Sequence, residues 1–244
     1  MSDISVFENE NLLSEAAADF LVSLSAENIK KNGKFSIALS GGKTPSTLFS
    51  LLATPKYNNA INWQQVFVFW GDERCVPADD ENNNSYVAKQ LLLNKVALPQ
   101  KNIFTVPVNM PPAKAAHHYE QTLKIFFKTQ FPLLDMILLG MGTNGHTASL
   151  FPKTPILKDT TALVKEVFVK EAGLHRISFT VPMINNAKNI LFLVTGKEKA
   201  SMLHTVLEGK YEPVKYPAQL VKPARGNKLF WFVDKAAAVK LKIK

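Results

Sequence analysis

Leu13, Ala16, Ala17, Phe20, Leu21 and Leu24 recur at spacings of three and four, which predicts an amphipathic helix over 11–31, ended by Gly33 after Lys30 and Lys31. Past Gly33 the period changes. Phe35–Leu39, Val66–Trp70, Met136–Leu139, Ile190–Val194 and Phe230–Val233 are short, nearly continuous apolar runs, the pattern of strands buried on both faces. Helical patterns fall between them at 45–53, 84–93, 112–130 and 198–208. This alternation predicts an α/β fold with a doubly wound, mostly parallel, Rossmann-like sheet flanked by helices. Residues 160–181 break the rhythm. Leu163–Val169 and Arg176–Val181 are two strand-like runs across the turn Glu171-Ala172-Gly173, which predicts an antiparallel hairpin added to the parallel sheet.

With 244 residues and no repeat, low-complexity tract or linker, the expected organisation is a single domain, 1–244. Apolar residues at 46% and charged residues at 20% match a self-folding globular chain and exclude a disordered one. Lys and Arg outnumber Asp and Glu by 29 to 20, a net charge of +9 that suggests an anionic partner. The lysines are scattered, apart from a terminal cluster of Lys240, Lys242 and Lys244, and no basic stripe is interleaved with aromatics. A small anion therefore fits better than nucleic acid. Cys75 is the only cysteine, so an internal disulfide and a cysteine zinc site are excluded. The start MSDISVFENE carries no basic leader or apolar run and no stretch is long enough to span a bilayer, so no membrane partner and a cytoplasmic location are expected.

In an open α/β sheet the ligand crevice lies beyond the carboxyl ends of the strands. Three polar segments follow directly on predicted strands: Ser40-Gly41-Gly42-Lys43-Thr44-Pro45, Gly71-Asp72-Glu73-Arg74, and Gly140-Met141-Gly142-Thr143-Asn144-Gly145-His146-Thr147. In the first, glycines let the backbone approach an anion, Thr44 is the expected N-cap, and Pro45 the first residue of a helix with free amides. Its end imitates a nucleotide-triphosphate loop, but Ile37 holds the place of the required first glycine. In the second, Arg74 suits a multi-donor grip on phosphate and Asp72 can orient a hydroxyl or an imidazole.

The third segment spends three glycines on one short path, and that path delivers His146, a residue able to take a proton from water near neutral pH. His117 and His118 lie on a polar helix, His175 at a turn, and His204 is expected to pack. No His-Glu-x-x-His spacing or carboxylate cluster suggests a metal site. Ser149 lacks the flanking glycines of a nucleophile elbow and Cys75 has no evident base, so direct attack by water is favoured over covalent catalysis. Two further cations, Arg176 at the start of a strand-like run and Lys199 at a helix start after Thr195-Gly196, stand where an anion could use them.

Together, Ser40-Gly41-Gly42-x-Thr44-Pro45, Asp72-Glu73-Arg74 with Val76-Pro77 and Asn84-Ser85, Gly140-Met141-Gly142-x-x-Gly145-His146-Thr147-Ala148-Ser149-Leu150-Phe151-Pro152, Arg176-Ile177-Ser178 and Gly196-x-x-Lys199-Ala200 resemble the 6-phosphogluconolactonase family. The block from Gly145 to Pro152 is the most specific part. The resemblance implies hydrolysis of 6-phospho-D-glucono-1,5-lactone to 6-phosphogluconate, in the oxidative pentose phosphate pathway, with no metal or organic cofactor. It implies His146 as general base and Asp72 as a residue that positions the sugar or the histidine. It further implies that Ser40, Gly41, Gly42, Thr44, Arg74, Asn144, Arg176 and Lys199 hold the substrate and its phosphate, in a monomer or homodimer.

One position departs from the pattern. Many relatives carry aspartate where this chain has Asn144, so His146 is expected to rely on Asp72 or a backbone carbonyl for its orientation. Two rivals remain: a glucosamine-6-phosphate deaminase or isomerase, and a non-catalytic sugar-phosphate sensor. The first resembles Gly-His-Ile-Ala-Phe-Asn-Glu-Pro at the histidine block, where this chain has Leu150 and Phe151. The second is disfavoured by the lack of an appended helix-turn-helix.

Overall fold

The five apolar runs all form strands, and a sixth strand joins them in one parallel sheet of this computed structural model, which describes residues 2–242. Lys244 of the terminal lysine cluster lies outside the described residues. The first half of the chain runs β1 (Ser2–Phe7), α1 (Glu10–Asn32), β2 (Phe35–Leu39), α2 (Lys43–Leu52), α3 (Pro55–Asn58), β3 (Val66–Trp70), β4 (Asp72–Arg74) and α4 (Asn84–Ala88). The second half adds α5 (Pro112–Phe127), β5 (Met136–Leu139), β6 (Val164–Val169), β7 (Leu174–Phe179), α6 (Val181–Asn185), β8 (Asn189–Val194), α7 (Ala200–Glu208), β9 (Lys228–Asp234) and α8 (Lys235–Ala238).

The sheet order is β1-β9-β8-β5-β2-β3, with every neighbouring pair parallel. β2 and β5 are wholly buried, as their unbroken apolar runs require of strands covered by helices on both faces. The first helix forms as its spacing predicts. Asn9 caps it by accepting from the Leu12 amide at 3.0 Å, Gly33 ends it at φ 71°, and Leu13, Ala17 and Leu21 are buried.

β1 has no counterpart in the sequence reading. It is an edge strand paired on one side only, and Asp3–Phe7 are at most partly buried and leave no continuous apolar run. The hairpin around 160–181 is present as β6 and β7, but it does not extend the parallel sheet. It pairs with β4 in a separate three-stranded antiparallel sheet, order β4-β7-β6. The charged segment after β3 is thus itself a strand. The Gly71 amide donates to the Leu39 carbonyl on β2 at 2.9 Å, while its carbonyl accepts from the Phe179 amide at 2.8 Å, so Gly71 is where the chain leaves one sheet for the other.

From β2 the chain moves to β3 on one side, then returns across β2 to β5, β8 and β9 on the other. The direction of winding reverses between β2 and β5, the place where the following loops diverge and leave a crevice. The glycine turn after β2 and the glycine-rich loop after β5 are therefore neighbours there, although about 100 residues separate them in sequence, as the Ile37–Met136 register shows.

Candidate active site

A cavity of about 410 Å³ opens at this switch point. Its walls come from the carboxyl ends of β2, β3, β5, β8 and β9 and from the second sheet, and they include Ser40, Gly41, Gly42, Thr44, Asp72, Arg74, His146, Arg176 and Lys199. Nine of the ten residues singled out from the sequence thus meet in one space. The tenth, Asn144, does not line it.

His146 is half-buried, with its ring stacked on Phe151 at 4.1 Å between centroids. The Asn144 side-chain oxygen accepts from the His146 backbone amide at 3.2 Å and lies 2.6 Å from its Nδ1. A backbone N–H can only donate, which fixes the carboxamide with its oxygen toward the histidine. Nδ1 must then carry the hydrogen, and Nε2 keeps the lone pair. Asn144 therefore orients the imidazole, in place of the substrate contact expected of it and of the expected reliance on Asp72 or a backbone carbonyl. Gly142 is needed for the same packing, because a Cβ there would overlap the imidazole.

Burial pushes the His146 pKa down to about 4, helped by the positive charges of Arg176, Lys199 and Arg74. The imidazole is neutral throughout the physiological range and takes up a proton only in acid. Replacing Asn144 by aspartate would set an anion 2.6 Å from Nδ1, so Asn144→Asp is expected to raise the His146 pKa. Titration of the ¹⁵N-labelled imidazole by NMR checks this. A wild-type midpoint near 6.5, or no upward shift in Asn144→Asp, contradicts the assignment.

β4 and β7 set the charged wall. Asp72 stands opposite Ser178, Glu73 opposite Ile177, and Arg74 opposite Arg176. Alternation along β4 turns Asp72 and Arg74 to the cavity and Glu73 to the interior. Like charges directly opposed across a ladder are destabilising, and the Nε atoms of both arginines are buried with no hydrogen-bond partner. That arrangement suits a bound anion. Arg74 Nη1 donates to the Asn82 carbonyl at 2.8 Å, and Arg176 Nη1 lies 4.0 Å from Asp72 Oδ2.

Asp72 is also fixed by Ser149, whose hydroxyl donates to Oδ2 at 2.6 Å. Ser149 is fully buried, and its role in the structure is to hold that carboxylate. Burial pushes the Cys75 thiol up to about 11, which keeps it protonated. Among the described residues no group of three or more His, Cys, Asp or Glu side chains is placed to hold a metal ion.

The glycine turn differs from expectation at its helix start. α2 begins at Lys43 behind Gly42, whose φ of 110° needs a residue without a side chain, and no side chain caps the helix. Thr44 is not the N-cap. Its hydroxyl instead pairs with that of Thr195 at 2.7 Å, tying the turn after β2 to the turn after β8. Thr195 and Asp234, both on the cavity wall, carried no signal beyond their place at strand ends, though Asp234 holds the Gly196 amide at 3.1 Å. Of the other histidines, His117, His118 and His175 are exposed, the last on β7, and half-exposed His204 stands 3.4 Å from Glu208 rather than packing.

A parallel sheet with a histidine and converging cations in one cavity at its switch point defines an open α/β protein. The sequence profile described as Glucosamine-6-phosphate isomerases/6-phosphogluconolactonase matches residues 8–231, and the chain belongs to that family. It is 36% identical over 244 residues to the 6-phosphogluconolactonase of Nostoc sp., covering 98% of each chain. It is 35% identical to probable 6-phosphogluconolactonase 1 of Arabidopsis thaliana, covering 98% of this chain and 93% of that one. The solved 6-phosphogluconolactonase of Trypanosoma cruzi superimposes with a TM-score of 0.89 at 28% identity, over 100% of this chain and 98% of the other.

Proposed function

We propose that this chain is a 6-phosphogluconolactonase, which hydrolyses 6-phospho-D-glucono-1,5-lactone to 6-phospho-D-gluconate with His146 as general base and without a metal. One observation carries the reading: a neutral imidazole of fixed tautomer, with Nε2 free of protein hydrogen bonds among the described residues, shares a cavity with Arg74, Arg176 and Lys199. The full-length relatives of that name support the choice of substrate.

The phosphate of the substrate is held by the cationic wall, and this remote grip brings C1 beside the histidine. Nε2 takes a proton from water as the water oxygen bonds to the lactone carbonyl carbon. The charge that develops on the carbonyl oxygen falls within the positive field of the cavity. When the tetrahedral intermediate collapses, the C1–ring-oxygen bond breaks. The imidazolium returns its proton to the ring oxygen, leaving the open-chain acid. A lactone is an activated ester, so one base, good positioning and charge stabilisation are sufficient.

The deaminase alternative is weakened at the histidine block, where Leu150 and Phe151 are buried apolar residues in the stretch that offers a carboxylate in that family. A sensor would not need a base of fixed tautomer. The cavity is complete within one chain, which supports a catalytically self-sufficient protomer, whether alone or in a dimer. No helix among the described residues is long and apolar enough to cross a membrane, and we place the enzyme in the cytoplasm.

The test supplies freshly generated 6-phosphogluconolactone and follows acid release against the spontaneous rate, with and without EDTA. Acceleration that EDTA leaves unchanged is expected, together with no ammonia from glucosamine 6-phosphate. Ammonia release without lactone hydrolysis reverses the assignment.

A further inference from the structure

Glu73 has no place in the reaction just described, yet it is fully buried between Asp72 and Arg74. Its Oε1 accepts from the Arg74 amide at 2.8 Å and the Asn84 amide at 2.7 Å, and its Oε2 accepts from the Ser85 amide at 2.8 Å. No cation lies within salt-bridge distance of it among the described residues; backbone donors alone satisfy it. Two of those donors belong to the start of α4, so the carboxylate joins β4 to a helix that begins ten residues further on.

Asn84 carries the connection onward. Its side-chain amide donates to the Asp72 carbonyl at 2.9 Å, and it lies so close against Gly41 that any Cβ there would overlap it. Asp72, Arg74, Asn84 and Gly41 all line the cavity, whereas Glu73 does not. A buried carboxylate is expensive to desolvate, and a structural strand-to-helix join can be made with apolar packing instead. What the carboxylate adds is direction: three amides converge on two oxygens and leave β4 and α4 a single relative placement.

We propose that Glu73 is a positioning residue of the anion site, which presets Arg74 and, through Asn84, the glycine turn at Gly41 before substrate arrives. The inference rests on the reading of Arg74 as an anion ligand. His146, on the loop after β5, lies outside this clamp and is reached only through the charge of Arg74, so Glu73 acts chiefly on binding of the anion.

Glu73→Gln tests it. The carboxamide has the same shape, but one end becomes a donor facing a backbone N–H, so one of the three hydrogen bonds is lost. Sulfate serves as the probe, because its binding needs no lactone chemistry. Calorimetric titration of the folded wild-type, Glu73→Gln, Arg74→Ala and doubly substituted proteins is expected to show about tenfold weaker sulfate binding in each single variant. The double variant should be weaker than Arg74→Ala alone by clearly less than the Glu73→Gln factor, because Glu73 acts partly through that arginine and partly through the glycine turn. With the lactone, Glu73→Gln should raise KM by a similar factor with kcat nearly unchanged. Wild-type sulfate affinity in Glu73→Gln beside a weakened Arg74→Ala overturns the proposal, as does full additivity in the double variant. Unchanged affinity in Arg74→Ala overturns the proposal through the arginine assignment on which it rests. Should Glu73→Gln not fold, Asn84→Ala cuts the same connection beyond the carboxylate. Weaker sulfate binding is then expected through the glycine turn, and wild-type affinity there also overturns the proposal.

Discussion

His146→Ala is expected to lower kcat by about 10²–10⁴-fold, the scale of a lost general base, while KM and the far-ultraviolet circular dichroism stay close to wild type. Among the described residues His146 is the only imidazole on the cavity wall. Asp72 accepts from Ser149 and faces Arg176, and Glu73 turns to the interior, where backbone amides occupy both its oxygens. The cationic wall proposed to grip the phosphate does not include the imidazole, so binding is expected to survive its removal. Truncation uncovers the face of Phe151 on which the imidazole stacks but leaves the Gly142–Gly145 turn intact, because that turn is held by backbone hydrogen bonds. Single-turnover hydrolysis of the lactone, corrected for the spontaneous reaction, gives the comparison. A kcat within about threefold of wild type would remove His146 from the mechanism.

Arg74→Ala and Arg176→Ala are each expected to raise KM by roughly 10- to 150-fold, the range for losing a hydrogen bond to a charged group worth about 1.5–3 kcal/mol. The two guanidinium groups face each other across β4 and β7 with unpartnered Nε atoms, an arrangement whose like-charge repulsion a phosphate dianion relieves. Arg176→Ala has a second consequence. Burial is the largest cause of the depressed His146 pKa, and Arg176 is the first of the charges that add to it. Removing that charge raises the pKa of the free protein, so more of the imidazole is protonated at a given acid pH and the acid limb of kcat/KM moves upward. Steady-state kinetics across pH separates the two effects. An unchanged KM in both variants would reject the arginines as phosphate ligands.

The pH behaviour also explains how asparagine serves at position 144. An amide oxygen suffices to fix the tautomer, because orientation needs an acceptor and not a charge. Its neutrality leaves the imidazole weakly basic, and a weak base is adequate for an ester as reactive as a lactone. A bound phosphate supplies negative charge near the same ring and raises its pKa within the complex.

Local chemistry wrote much of the fold into the sequence. The helix over 11–31 and the strands at 35–39, 66–70, 136–139, 190–194 and 230–233 were legible because burial on one face or on both imposes a period that composition cannot hide. The edge strand β1 was not, since none of Asp3–Phe7 is fully buried, whereas the other edge strand, β3, is mostly buried and keeps its apolar run. His146 and the glycine turn were legible because glycine-rich paths after buried strands are locally unusual.

What the sequence by itself determined, then, is the alternation of elements, the three loops that follow strands, and the residue types that can bind an anion or move a proton. Tertiary structure alone decided that Asp72–Arg74 is a strand of a second sheet, that Asn144 faces His146, that Thr44 meets Thr195, and that Glu73 is enclosed by backbone amides. The reason is physical. Periodicity reports whether a side chain is buried, but which groups share a cavity depends on strand order and register. Those arise from contacts between segments far apart in the chain, such as Thr44 with Thr195 and β1 with β9, and no local pattern encodes them.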